Sequence, residues 1–336
     1  MRWNTFIVAA FAVAALCAAP HADAGDRYYY LGYGVVQVVD GATDTIVADI
    51  PVKGAAREAD LSADRRFLYV ASNRHLVHKI DLGANRVVST TDIKSDGWDR
   101  LMFGFALAPD GKTAYGAFLS RRAEKGEAII GKPVVAQFDL DSGRIVRSVE
   151  VPWGVAHLVR ANDGRTIYAF GPELYTIDTT GPNLRIAATQ PILDQGKNML
   201  PFWDYSFDNG GVASMNYYTA TAMGVMLVDQ KTGAIEDIVL AGDPVMAYSV
   251  VLAPDRKRAW AVMDDLVEID LVKKKYLRSV EIAEGTSYGV NISSDGSKVY
   301  VAGGGSTLTV YDAKSLKPLK VLQMASDGMD LRRVSN

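Results

Sequence analysis

Seven times along this chain an apolar stretch ends in aspartate and a turn: Val36–Asp40, Leu76–Asp81, Val134–Asp139, Leu174–Asp178, Val225–Asp229, Leu266–Asp270 and Leu308–Asp312. The closing aspartates follow one another at intervals of 41, 58, 39, 51, 41 and 42 residues. Ahead of the last six stands a second recurring segment. It is an apolar strand, a turn containing Asp64, Asp110, Asp163, Asp208, Asp255 or Asp295, and in most copies a strand with a central aromatic such as Tyr69, Tyr115, Tyr168, Trp260 or Tyr300. Asp-Gly and Pro-Asp-Gly between alternating apolar residues are hairpin signals, because glycine tolerates positive φ. A further β-rich stretch follows each unit, as in Val146–Val151 and Leu277–Ile282.

Four strands recurring every ~40–45 residues are the pattern of a propeller blade. The spacing therefore predicts an all-β chain, a seven-bladed β-propeller. Two intervals are long, and their extra length falls at Arg121–Lys132 and Pro191–Tyr205. The first unit is incomplete: Tyr28–Gly32 aligns with Phe67–Ala71, so the chain enters at the second strand of its blade. Met329–Val334 is left over at the other end. Pairing of this C-terminal strand with the first blade is predicted to close the ring and remove an exposed edge.

Residues 1–24 read as a secretory signal peptide rather than as fold. Arg2 is followed by the apolar run Phe6–Ala19 and the small-x-small site Ala22-Asp23-Ala24, so cleavage is expected after Ala24. Residues 25–336 then form a single propeller, and the expected location is the periplasm. Cys17, the one cysteine, is preceded by Leu16, too bulky for a lipoprotein site, and it leaves with the leader. The mature chain would have no disulfide, thiolate metal site or Cys-x-x-Cys-His haem attachment. Cleavage removes one base and one acid, so the net charge of −3 is unchanged. That balance argues against nucleic acid as a partner. No later apolar run reaches membrane-spanning length.

Repetition also weighs against a catalytic role for the recurring aspartates. A side chain present in every unit belongs to the scaffold, and Asp caps its own turn by hydrogen-bonding nearby N–H groups. The recurring Tyr and Trp of the second strands read as inter-blade packing. His75 and His78 are three apart, which places them on opposite faces of a strand, and His157 is isolated, so no metal site is expected. Gly303-Gly304-Gly305 lies between strands and reads as a turn rather than a phosphate cradle. No catalytic residue is assigned.

What remains is the chemistry of the loops that join blade to blade. Three of the four tryptophans beyond the leader lie there, in Trp98-Asp99, Pro152-Trp153-Gly154 and Phe202-Trp203-Asp204-Tyr205. Met246, Tyr248 and Tyr288 follow in the next two loops. Tyr217 and Tyr218, on the connection between second and third strands of the fifth unit, would enlarge the same mouth, or would simply extend a strand. Amphipathic aromatics on rigidly held loops favour a recognition surface for substrate or partner. The alternative is that the rings tuck beneath their own loops.

Leu101–Tyr115 resembles the third blade, and Ser287–Gly304 the seventh, of the β subunit of quinohemoprotein amine dehydrogenase, a periplasmic seven-bladed propeller. The order and spacing of the units are similar over nearly the whole mature chain. The pattern departs after Asn216–Ala220, where the loop is shortened before Gly224–Asp229. The resemblance implies a docking subunit that helps shape an amine entrance. Its expected partners are a γ subunit carrying cysteine tryptophylquinone and a di-haem cytochrome c α subunit, with no cofactor on this chain. The alternative readings are a stand-alone periplasmic YVTN-like binding or scaffold propeller, and an independent propeller enzyme such as a lactonase or quinone-cofactor dehydrogenase.

Overall fold

The computed structural model describes residues 25–93, 97–199, 207 and 210–335. The predicted leader, residues 1–24, lies outside them. The described residues form 27 strands and one short 3-10 turn, Leu193–Gln195. None of them forms a helix long and apolar enough to cross a membrane.

Each sheet is an antiparallel meander whose strands differ in burial. In the sheet built from Ser249–Leu252, Arg258–Val262, Asp265–Asp270 and Lys275–Glu281, the first strand is wholly buried and the fourth has no buried residue. Inner strands such as Ser249–Leu252 therefore read as continuous apolar runs. Outer strands such as Ile145–Glu150 alternate half-buried and exposed positions, as a strand covered on one face does.

The turns behave as the repeat requires. Asp40, Asp81, Asp139, Asp178, Asp229, Asp270 and Asp312 each accept a hydrogen bond from a backbone N–H two or three residues on. Hydroxyls add to this at Asp139, Asp178, Asp229 and Asp312, donated by Ser142, Thr180, Thr232 and Ser315. The same hydroxyls are the largest cause holding these four carboxyls below the ordinary range, and Asp178 falls to about 2. A second bond marks every unit. The N–H after the closing aspartate reaches the carbonyl before the second strand: Gly41 to Asp26, Leu82 to Arg66, Leu140 to Lys112, Thr179 to Arg165, Gln230 to Gly211, Leu271 to Lys257 and Ala313 to Ser297.

The sheet count corrects the expectation of seven separate sheets. Among the described residues there are six, and the first has six strands in the order Gly328–Val334, Arg27–Asp40, Thr45–Leu61, Phe67–Ser72, Leu76–Asp81 and Arg86–Asp92. The physical reason is strand continuity. Thr45–Leu61 runs unbroken from pairing with Val35–Asp40 into pairing with Leu68–Ser72, so two units share one hydrogen-bonded sheet. Arg27–Asp40 is likewise unbroken, although Gly34 at φ 77° turns the chain within it. Its first half pairs antiparallel with the C-terminal strand, from Arg27↔Val334 to Gly32↔Gly328.

The apolar core is divided among seven clusters of buried side chains. Six lie between one sheet and the next. One of these joins the last sheet to the first through Tyr28, Tyr30, Tyr300, Leu308 and Leu331. The seventh packs Val36, Val38 and Ile50 against Leu68, Val70 and Ile80, between the two halves of the six-stranded sheet. Across the last-to-first junction Tyr28 and Tyr300 stack at 3.8 Å, and the Tyr300 hydroxyl donates to Asp44 at 2.6 Å.

Candidate recognition face

A meander places the loops between sheets at the same end as the connections between second and third strands. The aromatic loops therefore share one end of the molecule, but they do not share one environment.

Trp153 and Met246 are the open members, 57% and 54% exposed. Trp153 stands between exposed Pro152 and exposed Gly154 in a turn where Gly154 adopts φ 92°. Tyr248 and Tyr288 meet edge to face at 5.0 Å, and each is half-buried. Their backbones are fixed by Tyr248 N–H donating to Val262 and by the Ser249 hydroxyl donating to the Tyr288 carbonyl at 2.6 Å.

Trp98 is covered on one side. The insertion Arg121–Lys132 folds as a hairpin of Thr113–Glu124 and Glu127–Ile130 that bends over it. The Arg122 guanidinium lies 4.8 Å from the indole centroid, a cation–π contact, while exposed Asp99 pairs with Arg121 at 3.3 Å.

The two fifth-unit tyrosines end the strand Val212–Tyr218, the strand-extension alternative. Tyr217 is fully buried over Gly224, where a Cβ would lie 2.1 Å from its ring. Its hydroxyl donates to Asp237, which also pairs with Lys197 at 2.6 Å. Burial first, then the adjoining Asp237, raises its pKa. Tyr218 is half-buried and donates to the Ala247 carbonyl at 2.8 Å, bracing the Pro244–Tyr248 loop from beneath. Phe202, Trp203, Asp204 and Tyr205 lie outside the described residues.

Sequence reasoning missed three exposed apolar side chains at this end: Tyr33 (68%), Ile130 (57%) and Leu101 (43%). Tyr33 carried a legible signal, since Tyr33-Gly34 is a two-residue turn with an aromatic at its tip. The histidines are not on one strand: His75 lies in the turn before Leu76–Asp81, and only His78 is on that strand. His78 is buried between the hydroxyls of Ser72 (2.8 Å) and Thr90 (2.9 Å), and exposed His75 lies 3.0 Å from Asp92. Burial lowers the His78 pKa, against a raising contribution from the Lys53 carbonyl. Among the described residues no group of three or more His, Cys, Asp or Glu could hold a metal ion.

No family model matches the chain, and no curated protein matches it. Solved structures do. A hydrazine synthase chain from Kuenenia stuttgartiensis aligns over 94% of this chain and 100% of its own at 15% identity and TM-score 0.58. A functionally unknown protein from Desulfotomaculum acetoxidans aligns over 90% and 97% at 11% identity and TM-score 0.63. The dihydro-heme d1 dehydrogenase NirN aligns over 96% and 78% at 17% identity and TM-score 0.58. The chain is a β-propeller. At these identities the likeness is one of fold. Within the propeller, the aromatic end is a surface held by a rigid frame, with Trp153 and Met246 outward and Tyr217 and Tyr218 as struts below.

Proposed function

We propose that this propeller is the non-haem subunit of a periplasmic quinohemoprotein amine dehydrogenase. Its aromatic end would dock the quinone-bearing γ subunit and the di-haem α subunit and help shape the amine entrance. The observation that carries the reading is that Trp153 and Met246 are each more than half exposed, at the same end of the molecule as the Tyr248–Tyr288 contact. Large apolar side chains that remain in water on a stiff frame gain by being covered, and aromatics and Met are enriched at interfaces. The likeness of Leu101–Tyr115 and Ser287–Gly304 to blades of that subunit directs the proposal to this complex.

In this reading the wheel has seven blades, the six-stranded sheet counting as two. The unit-marking bond recurs seven times, with Gly41 to Asp26 as the first, and seven apolar clusters separate the units. The antiparallel register of Gly328–Val334 with Arg27–Gly32 then serves as the ring's closure. The leader would direct the chain to the periplasm.

Purification of the tagged chain from its own cells tests the proposal. The expected eluate shows c-type haem absorbance and a small chain that stains for quinone. Elution as a monomer without either would favour the second reading, a stand-alone binding or scaffold propeller. The inward turn of Tyr217 favours that second reading, because it leaves the fifth unit less aromatic at the surface.

A further inference from the structure

The turns between first and second strands gather at the end opposite the aromatic loops. A cavity of about 420 Å³ opens there, lined by Asp60, Leu61, Pro109, Arg160, Asn162 and Phe207 among others. That volume lies within the range of small-molecule sites, roughly 300–1,000 Å³.

Its charges are unevenly satisfied. Asp60 is 4% exposed and held by backbone: one carboxylate oxygen accepts from Leu61 N–H at 2.7 Å and the other from Leu107 N–H at 2.8 Å. Burial raises its pKa, against the lowering effect of the nearby Arg160 and of these two N–H groups. Asp163 turns away, capping the N–H groups of Arg165 (2.8 Å) and Thr166 (3.1 Å). Arg160 itself donates through Nη1 to the Leu107 carbonyl at 3.3 Å. Among the described residues no carboxylate lies within ion-pair distance of it, and its Nε and Nη2 have no acceptor. A guanidinium offers five N–H donors in a planar fork, and a carboxylate matches two of them at once.

We propose that this cavity binds a small organic monocarboxylate. The Nε–Nη2 edge of Arg160 takes the carboxylate, and Leu61, Pro109 and Phe207 receive the apolar body. A primary amine is disfavoured by the guanidinium. Inorganic phosphate is disfavoured because it has no apolar body to cover Leu61, Pro109 and Phe207. The site is independent of the docking role, since it lies at the other end of the propeller.

Titration calorimetry of the mature chain with phenylacetate, phenethylamine and inorganic phosphate tests this, with Arg160→Gln and Arg160→Lys as variants and thermal melts to check folding. Phenylacetate is expected to bind saturably, more weakly as salt rises. It should bind about tenfold or more weakly to Arg160→Gln, which loses the charge-assisted fork. Arg160→Lys keeps the charge but not the fork, so it too should bind more weakly, and it decides the matter if the Gln variant does not fold. Absence of saturable phenylacetate binding, wild-type affinity in the folded variants, or equal binding of phenethylamine or phosphate would overturn the assignment.

Discussion

Replacing Leu331 by Ala tests whether the C-terminal strand belongs to the core or merely lies on it. Leu331 is 2% exposed and packs with Tyr28, Tyr30, Tyr300 and Leu308 across the junction of last and first sheets. The substitution removes three buried carbons, worth about 2.4 kcal/mol at ~0.8 kcal/mol per methylene. A rigid aromatic wall cannot collapse into the space, and the remaining cavity adds about 1 kcal/mol. A loss of ~3 kcal/mol should lower the melting temperature of a chain this size by about 4–5 °C. The control is Val321→Ala on the outermost strand of the last sheet, where Val321 is 50% exposed. It should change stability by less than about 0.5 kcal/mol. Urea denaturation followed by tryptophan fluorescence, together with calorimetric melts, gives both values. If Leu331→Ala melts with Val321→Ala and the parent, the end strand contributes nothing to the core and the reasoning fails.

Three further outcomes follow from individual contacts. Tyr217→Phe removes a buried hydroxyl from the Asp237 carboxylate and should cost about 1–2 kcal/mol by denaturant melt, with Lys197 still pairing the acid. Asp178, depressed from 3.8 to about 2, supports stability above its ordinary value, and that support is lost as pH falls through this window. Thr180→Val should move the Asp178 carboxyl back toward 3.8 in a side-chain NMR titration and flatten the stability loss between those pH values. Trp153→Ala, at a residue 57% exposed, should leave the melting temperature within about 1 °C while weakening subunit association measured by co-elution.

The elements that could be read from the chain are those with local causes. The Asp-ended strands and their turns depend on hydrogen bonds spanning two or three residues, so their positions follow from Asp, Ser, Thr and Gly alone. The six-stranded sheet was not legible. Whether Thr45–Leu61 breaks between units is decided by partners on either side, Val35–Asp40 and Leu68–Ser72, far apart in the chain. Tyr217 misled for a related reason. Period-2 alternation gives opposite faces to Tyr217 and Tyr218 without saying which face is covered, and the space over Gly224 settles it. The Arg121–Lys132 insertion was located, but its bend over Trp98 is a tertiary contact. Arg160 and Asp60 stand 100 residues apart on separate sheets, and no pattern in sequence joins them.

Which end of the propeller meets other chains can be measured directly. A photo-crosslinking amino acid is placed at position 153 on the aromatic end, or at position 163 on the opposite end, in the chain expressed in its own cells. The account predicts ultraviolet-dependent adducts from position 153 that carry c-type haem or the small quinone chain, and none of these from position 163. Adducts of those chains from 163 with none from 153, or no such adduct from either, would contradict it.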